Sequence, residues 1–328
     1  MPASNRRTFI KQAGLGAAGL AAASSTALHA AGRTGETVRR IGGALRPPNA
    51  VSLATWSLNR SYQAGIWDLL DIARICREDF DIGGVEYVTY FFDDVRQIRL
   101  RELNQRADDY GVQNVLIMVD QEGHMASPDR DERIQASINH RKWVDIANFL
   151  GCYAIRCNTT GGGPSPEEDP DALERATESF SHLLEYAEPA GIQIIVENHG
   201  GGLASNAQWL ADLAESIDNP NFGLLPDYGN FGGEGGAEQI YESVRITMPY
   251  ATGVSVKGRW SPEGEQVGFS LERCLNISLD SGFEGYWGIE SGIRREEDPG
   301  DQSPLQIKND EWNAVLWTKQ VIDDVVLL

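Results

Sequence analysis

Cysteine is scarce in this 328-residue chain, which contains four cysteines. None of the four belongs to a Cys-x-x-Cys pair, and a disulfide framework is typical of small secreted domains with a much higher cysteine density. The spacing therefore argues against a disulfide scaffold. Three of the cysteines lie in apolar stretches, so we expect buried free thiols that pack as small hydrophobic side chains.

Positive charge is also in short supply. The chain has 28 lysines and arginines against 48 aspartates and glutamates, which gives a formal net charge of −20. Such an excess repels phosphodiester backbones and anionic lipids, since binding to either needs a basic face. The composition thus argues against nucleic acid as a partner. Its 41% hydrophobic and 23% charged residues are typical of a soluble globular protein.

The N-terminal apolar run, Gly14–Leu28, is too short and too weakly apolar to form a spanning helix. It follows the string NRRTFIK, in which Arg6, Arg7 and Lys11 resemble a twin-arginine export motif. We predict that residues 1–31 are a signal peptide, because a disordered basic tail would leave the apolar run unexplained. Its removal takes the net charge to −23. The mature protein would work in the periplasm or outside the cell, unattached to a membrane.

After a polar linker, residues 32–49, apolar strands and amphipathic helices alternate. The predicted strands are residues 50–56, 84–89, 112–119, 153–158, 192–197, 222–227, 252–257 and 285–290. The predicted helices are residues 66–79, 95–110, 132–150, 171–190, 205–217, 236–248, 269–281 and 309–326. Eight of each indicate a single α/β domain, a (β/α)₈ TIM barrel over residues 50–328. A doubly wound sheet is disfavoured, since the first turn, SLNRSYQAG, lacks its glycine fingerprint.

Three predicted strands end in an acid, at Glu197, Asp227 and Glu290. Apolar residues lead into each acid, so each carboxylate would lie where a buried strand opens at the barrel mouth. Several converging carboxylates repel one another unless a cation or shared protons compensate. Oxygen ligands suit a hard divalent ion such as Mg²⁺ or Mn²⁺. A structural role as helix N-caps is the alternative for each acid taken alone.

The same strand ends carry a family resemblance. The strings VENHGG, LLPDYGNF, GYWGIES and INHRKWVDIANFLGCYAIRCN resemble the xylose-isomerase-like superfamily of sugar isomerases, epimerases, inosose dehydratases and endonuclease IV relatives. The resemblance implies one divalent metal, Mn²⁺, Mg²⁺ or Co²⁺, bound by Glu197, Asp227 and Glu290. Many relatives add a His from a His-x-Lys motif, where this chain has Ser255. Asn230 stands where the multi-metal nucleases carry a His, which weakens the endonuclease interpretation.

Other polar and aromatic residues near the strand ends complete the predicted site. His199 and Lys257 are candidate catalytic groups, the lysine as a cation that stabilises an enolate. A plain loop residue and a structural ion pair are the respective alternatives. The predicted substrate-binding residues are Arg156, Asn158, Trp56 and Glu86. Core packing is an equal alternative for the tryptophan.

These features predict a metal-dependent sugar isomerase or epimerase that acts through an enediolate. Elimination, as in a sugar dehydratase or a 3-keto-glycoside lyase, is an alternative on the same barrel, and Ser255 in place of the His makes it credible because the metal geometry need not match that of an isomerase. A non-catalytic sugar-binding barrel is the other alternative. The expected partner is a small carbohydrate. The segment after the eighth strand, SGIRREEDPGDQSPLQIKND, is long for a connection. It could cover the site or contact a second copy of the chain in a homo-oligomer.

Overall fold

The computed structural model describes residues 39–41, 44–46, 50–159, 163–232, 235–295 and 302–327. The predicted signal peptide, residues 1–31, lies outside them. Inside the predicted linker, two short strands pair antiparallel, Arg39–Ile41 with Ala44–Arg46. None of the described helices is both long enough and apolar enough to cross a membrane. All four cysteines are free and buried, as expected for three of them.

Eight parallel strands form the central sheet, and this confirms the predicted TIM barrel. Each strand lies within its predicted range and is at most three residues shorter. In chain order the strands are β1 Val51–Ala54, β2 Gly84–Val88, β3 Gln113–Met118, β4 Ala154–Cys157, β5 Gln193–Glu197, β6 Phe222–Leu225, β7 Val254–Val256 and β8 Trp287–Ile289.

The strands hydrogen-bond in the order β6-β5-β4-β3-β2-β1-β8-β7. The two ends of this order meet at parallel bridges, Leu224 with Ala251 and Asp227 with Ser255, so that the sheet nearly closes into a barrel. Because every strand is parallel, all eight carboxyl ends open on one rim. That rim is where TIM barrels carry their active sites.

Helices follow the strands, and their apolar faces pack on the barrel. Their bounds are α1 Asn59–Gln63, α2 Ile72–Arg74, α3 Gln97–Tyr110, α4 Arg130–Leu150, α5 Ala172–Ala187, α6 Ala207–Ile217, α7 Gly236–Thr247, α8 Leu271–Asp280 and α9 Pro304–Val326. Helix α9 begins five residues before its predicted start, because Ser303 and Gln306 form a capping box and Pro304 occupies the first turn.

The predicted helix over residues 66–79 is a composite of three short helical pieces. A 3₁₀ turn, α2 and a π turn follow one another at Leu69–Asp71, Ile72–Arg74 and Ile75–Asp79. Each piece is only three to five residues long, which is too short for the spacing of apolar residues to distinguish the three helix types.

The first strand ends at Ala54, two residues before its predicted end. The hydroxyl of Thr55 accepts a hydrogen bond from the Val88 N–H at 3.0 Å, and the hydroxyl of Ser57 donates to the Ile289 carbonyl at 3.0 Å. These bonds hold a 3₁₀ turn that leaves the sheet. Trp56 therefore lies at the rim with 38% of its surface exposed.

Candidate active site

Three acids from neighbouring parts of the rim converge. Glu197 is the last residue of β5, Asp227 lies two residues after β6, and Glu290 directly follows β8. One carboxylate oxygen from each lies within 4.8 Å of the other two. All three side chains are buried. The structure thus brings together the three predicted metal ligands, and we call them the acid cluster.

Asp227 is held from both sides by hydrogen bonds. Its Oδ1 accepts from the backbone N–H groups of Gly229 and Asn230 at 2.8 and 2.9 Å, and its Oδ2 accepts from the Ser255 hydroxyl at 2.9 Å. Burial raises the pKa of this carboxyl, and the nearby Lys257 opposes that rise. The Ser255 hydroxyl therefore helps to fix the orientation of Asp227.

Lys257 lies inside the acid cluster. Its Nζ is 2.8 Å from Asp227 Oδ2 and 2.6 Å from Glu290 Oε1, and it donates to Asn230 Oδ1 at 2.9 Å. Burial alone would lower the pKa of Lys257, but the two carboxylates outweigh it and raise that pKa. Gly229 allows this packing, since a Cβ there would be 2.7 Å from the lysine Cγ. The ammonium group compensates part of the buried negative charge.

Arg156 supplies a second cation beside the cluster, and this one is buried. Its Nη1 donates to Asp120 Oδ1 at 2.7 Å, and its Nε lies 2.8 Å from Glu197 Oε2. Among the described residues these Nε and Oε2 atoms have no hydrogen-bond partner, so their contact is an ion pair without hydrogen-bond alignment. Burial would lower the pKa of Arg156, yet Glu197 and Asp120 raise it. Arg156 is 3% exposed, and its contacts orient acids.

Glu86 lies inside the barrel next to the acid cluster. Its side chain accepts a hydrogen bond from the Ser52 hydroxyl at 2.6 Å and is 1% exposed. Burial is the main cause that raises the pKa of Glu86 to about 8, and Glu290 and Glu197 add to it. Burial therefore favours the protonated form of this carboxyl. A Cβ at Gly288 would lie 2.4 Å from Glu86 Oε1, so glycine leaves room for this side chain.

A cavity of about 570 Å³ opens above the acid cluster, a size suited to a small ligand. Six of the predicted site residues line it, namely Trp56, Asn158, Glu197, His199, Lys257 and Glu290. Arg156, Glu86 and Asp227 are not among its described lining residues. The structure therefore separates groups that face the cavity from groups that lie behind them.

His199 reaches this cavity although β5 ends two residues earlier. Its backbone N–H donates to the Glu197 carbonyl at 3.0 Å, so the chain turns instead of extending as a strand. Burial, with a smaller effect of Arg156, lowers the pKa of the imidazole. At neutral pH it is uncharged and has a lone pair with which to accept a hydrogen bond.

Several polar residues of the site were not predicted, and two of them, Asp120 and Asn230, contact its charged groups. Asp120 follows β3, lines the cavity, and accepts a hydrogen bond from the Asn158 amide at 2.8 Å. It ends the string VLIMVD, the same apolar-then-acid signal that marked the acid cluster. Asn230 donates to Glu197 Oε1 at 2.9 Å and accepts from Lys257, so it joins two groups of the site. No local sequence signal marks that bridge.

Comparison with known proteins agrees with this fold. A family model described as "Xylose isomerase-like TIM barrel" matches residues 77–309. The chain belongs to the xylose isomerase-like TIM barrel family. No curated protein matches its sequence significantly.

Several solved structures share the fold at low sequence identity. A xylose isomerase domain protein from Planctomyces limnophilus superposes with a TM-score of 0.61 at 17% identity, over 86% of this chain and 99% of that one. D-psicose 3-epimerase from Clostridium cellulolyticum H10, solved with D-tagatose, superposes with a TM-score of 0.60 at 15% identity, over 85% of this chain and 99% of that one. 3-keto-D-glucoside 4-epimerase from E. coli superposes with a TM-score of 0.60 at 12% identity, over 77% of this chain and 94% of that one.

Proposed function

We propose that this protein is a carbohydrate isomerase or epimerase that transfers a proton at the carbon next to a carbonyl group. The single observation that carries the proposal is the position of two carboxylates, Glu197 and Glu290, on the walls of one cavity. They come from β5 and β8, so a small substrate between them would have an acid or base on either side. Family membership and the epimerase structures that share the fold support the same reaction class.

Glu197 is the proposed base. Burial raises its pKa, the repulsion of Glu290 adds to the rise, and Arg156 opposes it. A carboxylate with a raised pKa is a stronger base and holds the proton it removes more firmly. Loss of the α-proton would leave an enediolate, whose negative charge the Lys257 ammonium would stabilise. Glu290, once it has taken a proton from solvent in the cavity, would donate that proton to the neighbouring carbon or to the opposite face of the same carbon, and Glu197 would release its own proton to solvent.

The acid cluster fits a hard divalent ion by its chemistry, because it offers three carboxylate oxygens within 4.8 Å. Glu197, Asp227 and Glu290 would hold the ion, as the family resemblance implies. When bound, it would polarise the substrate carbonyl as a Lewis acid. Lys257 contacts two of the same oxygens, so we propose that the lysine and the ion compete for Asp227 Oδ2 and Glu290 Oε1.

This competition predicts that Lys257→Met tightens the binding of Mn²⁺ by at least about tenfold, since it removes a positive charge from two ligands. Isothermal titration calorimetry on metal-stripped protein measures the effect. Lys319→Met is the matched control, because Lys319 pairs with Asp323 on α9 at 2.6 Å and lies away from the cavity. Unchanged or weaker Mn²⁺ binding in Lys257→Met would contradict the proposal that the lysine and the ion compete for the same carboxylate oxygens.

The proposed activity is tested by incubating the purified protein, with and without Mn²⁺, Mg²⁺ or Co²⁺, with aldoses, ketoses and 3-keto-glycosides in deuterated water. We expect an isomer or epimer that carries deuterium at the reacting carbon. An unsaturated product would indicate elimination, the alternative reaction on the same barrel. Binding of sugars without deuterium incorporation or a new product across the panel would overturn the enzyme proposal in favour of a binding barrel.

We also propose that the protein is exported and meets its substrate outside the cytoplasm. The resemblance of the string around Arg6 and Arg7 to a twin-arginine motif supports this location. Free sugars, glycosides and oxidised sugars are then better candidates than phosphorylated intermediates, which are cytoplasmic.

A further inference from the structure

A second cavity, of about 490 Å³, lies beside the first on the same rim. Both cavities are lined by Trp56, Lys257 and Glu290, so the two share one wall of the proposed active site. The remaining lining of the second cavity contains three arginines: Arg259, Arg294 and Arg295. Such a concentration of positive charge is unusual in a chain whose net charge is −20.

The backbone holds these arginines in place. Arg259–Trp260, just after β7, pairs in parallel with Gly292–Ile293, just after β8. The Arg294 N–H donates to the Trp260 carbonyl at 2.7 Å, and the Gly292 N–H donates to the Gly258 carbonyl at 3.0 Å. Arg259 therefore stands in a separate two-stranded sheet at the rim, and Arg294 and Arg295 directly follow the second strand of that sheet.

The three arginines differ in how their charge is compensated. Arg295 forms an ion pair with Asp310 at 2.7 Å. Within the described part of the chain, neither Arg259 nor Arg294 forms an ion pair with a carboxylate. Arg259 is half-buried and donates to the Gly229 carbonyl. Its burial and the nearby Arg294 both lower the pKa of Arg259, the result expected when two guanidinium groups repel each other beside a cavity.

We infer that Arg259 and Arg294 form an anion subsite, and that the substrate is a carbohydrate bearing an acidic group such as a carboxylate or a sulfate ester. An anion between the two guanidinium groups would relieve their repulsion and accept charge-assisted hydrogen bonds. The same molecule would lie against Trp56 and place its reacting carbons at Glu290 and Lys257. This inference rests on the proposed function for the reaction, while the anion subsite itself is a separate claim about binding.

Binding to the full chain tests the subsite. We expect hexuronates, sugar sulfates or sugar phosphates to bind more tightly than the neutral parent sugars, with an affinity that falls as salt is added. Arg259→Gln combined with Arg294→Gln should weaken binding of the acidic sugar by about 10- to 100-fold and leave the neutral sugar unchanged. Comparison of the three acidic classes identifies the group that the subsite accepts.

Arg245→Gln is the matched control, because Arg245 lies on α7, pairs with Glu242 at 3.0 Å and lines neither cavity. Equal binding of acidic and neutral sugars, or binding of acidic sugars that the double variant does not weaken, would overturn the subsite. If neutral sugars are isomerised with no preference for acidic ones, the proposed reaction is supported and the anion subsite is refuted. If acidic sugars bind through the arginines without any reaction, the anion subsite is supported and the proposed reaction is refuted.

Discussion

Glu197→Gln and Glu290→Gln should each lower kcat/KM by about 10²- to 10⁴-fold, the usual contribution of a general acid or base. Glutamine keeps the shape of the side chain, so the hydrogen bond from Asn230 to position 197 can persist while the base is lost. The proposed roles also make the two variants different from each other. Glutamine at 197 should block removal of the α-proton, whereas glutamine at 290 should leave that removal possible and block its return to the other position.

Proton exchange distinguishes these two steps. In deuterated water, Glu290→Gln should still exchange the α-proton of the substrate with solvent, although it forms little product. Glu197→Gln should neither exchange the α-proton of that substrate nor form product. When the reaction starts from the product, Glu197→Gln should exchange the proton with solvent and Glu290→Gln should not. Glu272→Gln, an exposed change on α8, serves as the control for handling and folding. Near-normal turnover in either active-site variant would refute the two-acid mechanism.

Arg156→Met should cost about 3–5 kcal/mol of unfolding free energy, because breaking a buried ion pair from one side leaves an uncompensated charge. Arg156 pairs with Glu197 and with Asp120, and all of these charges belong to the site. Denaturant unfolding at neutral pH measures the loss. The exposed pair of Arg245 with Glu242 supplies a control, since Arg245→Met should change stability by less than about 1 kcal/mol.

The cost of Arg156→Met should also depend on pH. Without Arg156, the pKa of Glu197 in the folded state would rise further above its unfolded value, because Arg156 now opposes the effect of burial. The folded variant would then bind more protons than the unfolded chain, so its stability falls as the pH rises above the unfolded pKa. Adding Glu197→Gln should recover part of the loss at neutral pH. A cost below about 1 kcal/mol, or one that shrinks as pH rises, would contradict this account.

The pattern of apolar and polar residues was sufficient to predict the barrel. All eight strands lie inside their predicted ranges, because strand formation here depends on short apolar runs that the chain shows plainly. The acids at the ends of β5, β6 and β8 were also predictable, since parallel strands bring their carboxyl ends to one rim. Asp120 also follows an apolar run, at the end of β3, so the same pattern could have predicted its place on the rim.

The sequence by itself therefore determined the barrel, its rim and which acids stand there. Only the tertiary structure decided how their charges are balanced: Lys257 between Asp227 and Glu290, Arg156 behind Glu197, and Asn230 as a bridge. It also decided which groups face a cavity. The physical reason is that periodicity records the position of a residue along a strand, whereas ion pairs and cavities depend on distances between side chains from different strands. Those distances arise only when the sheet has closed.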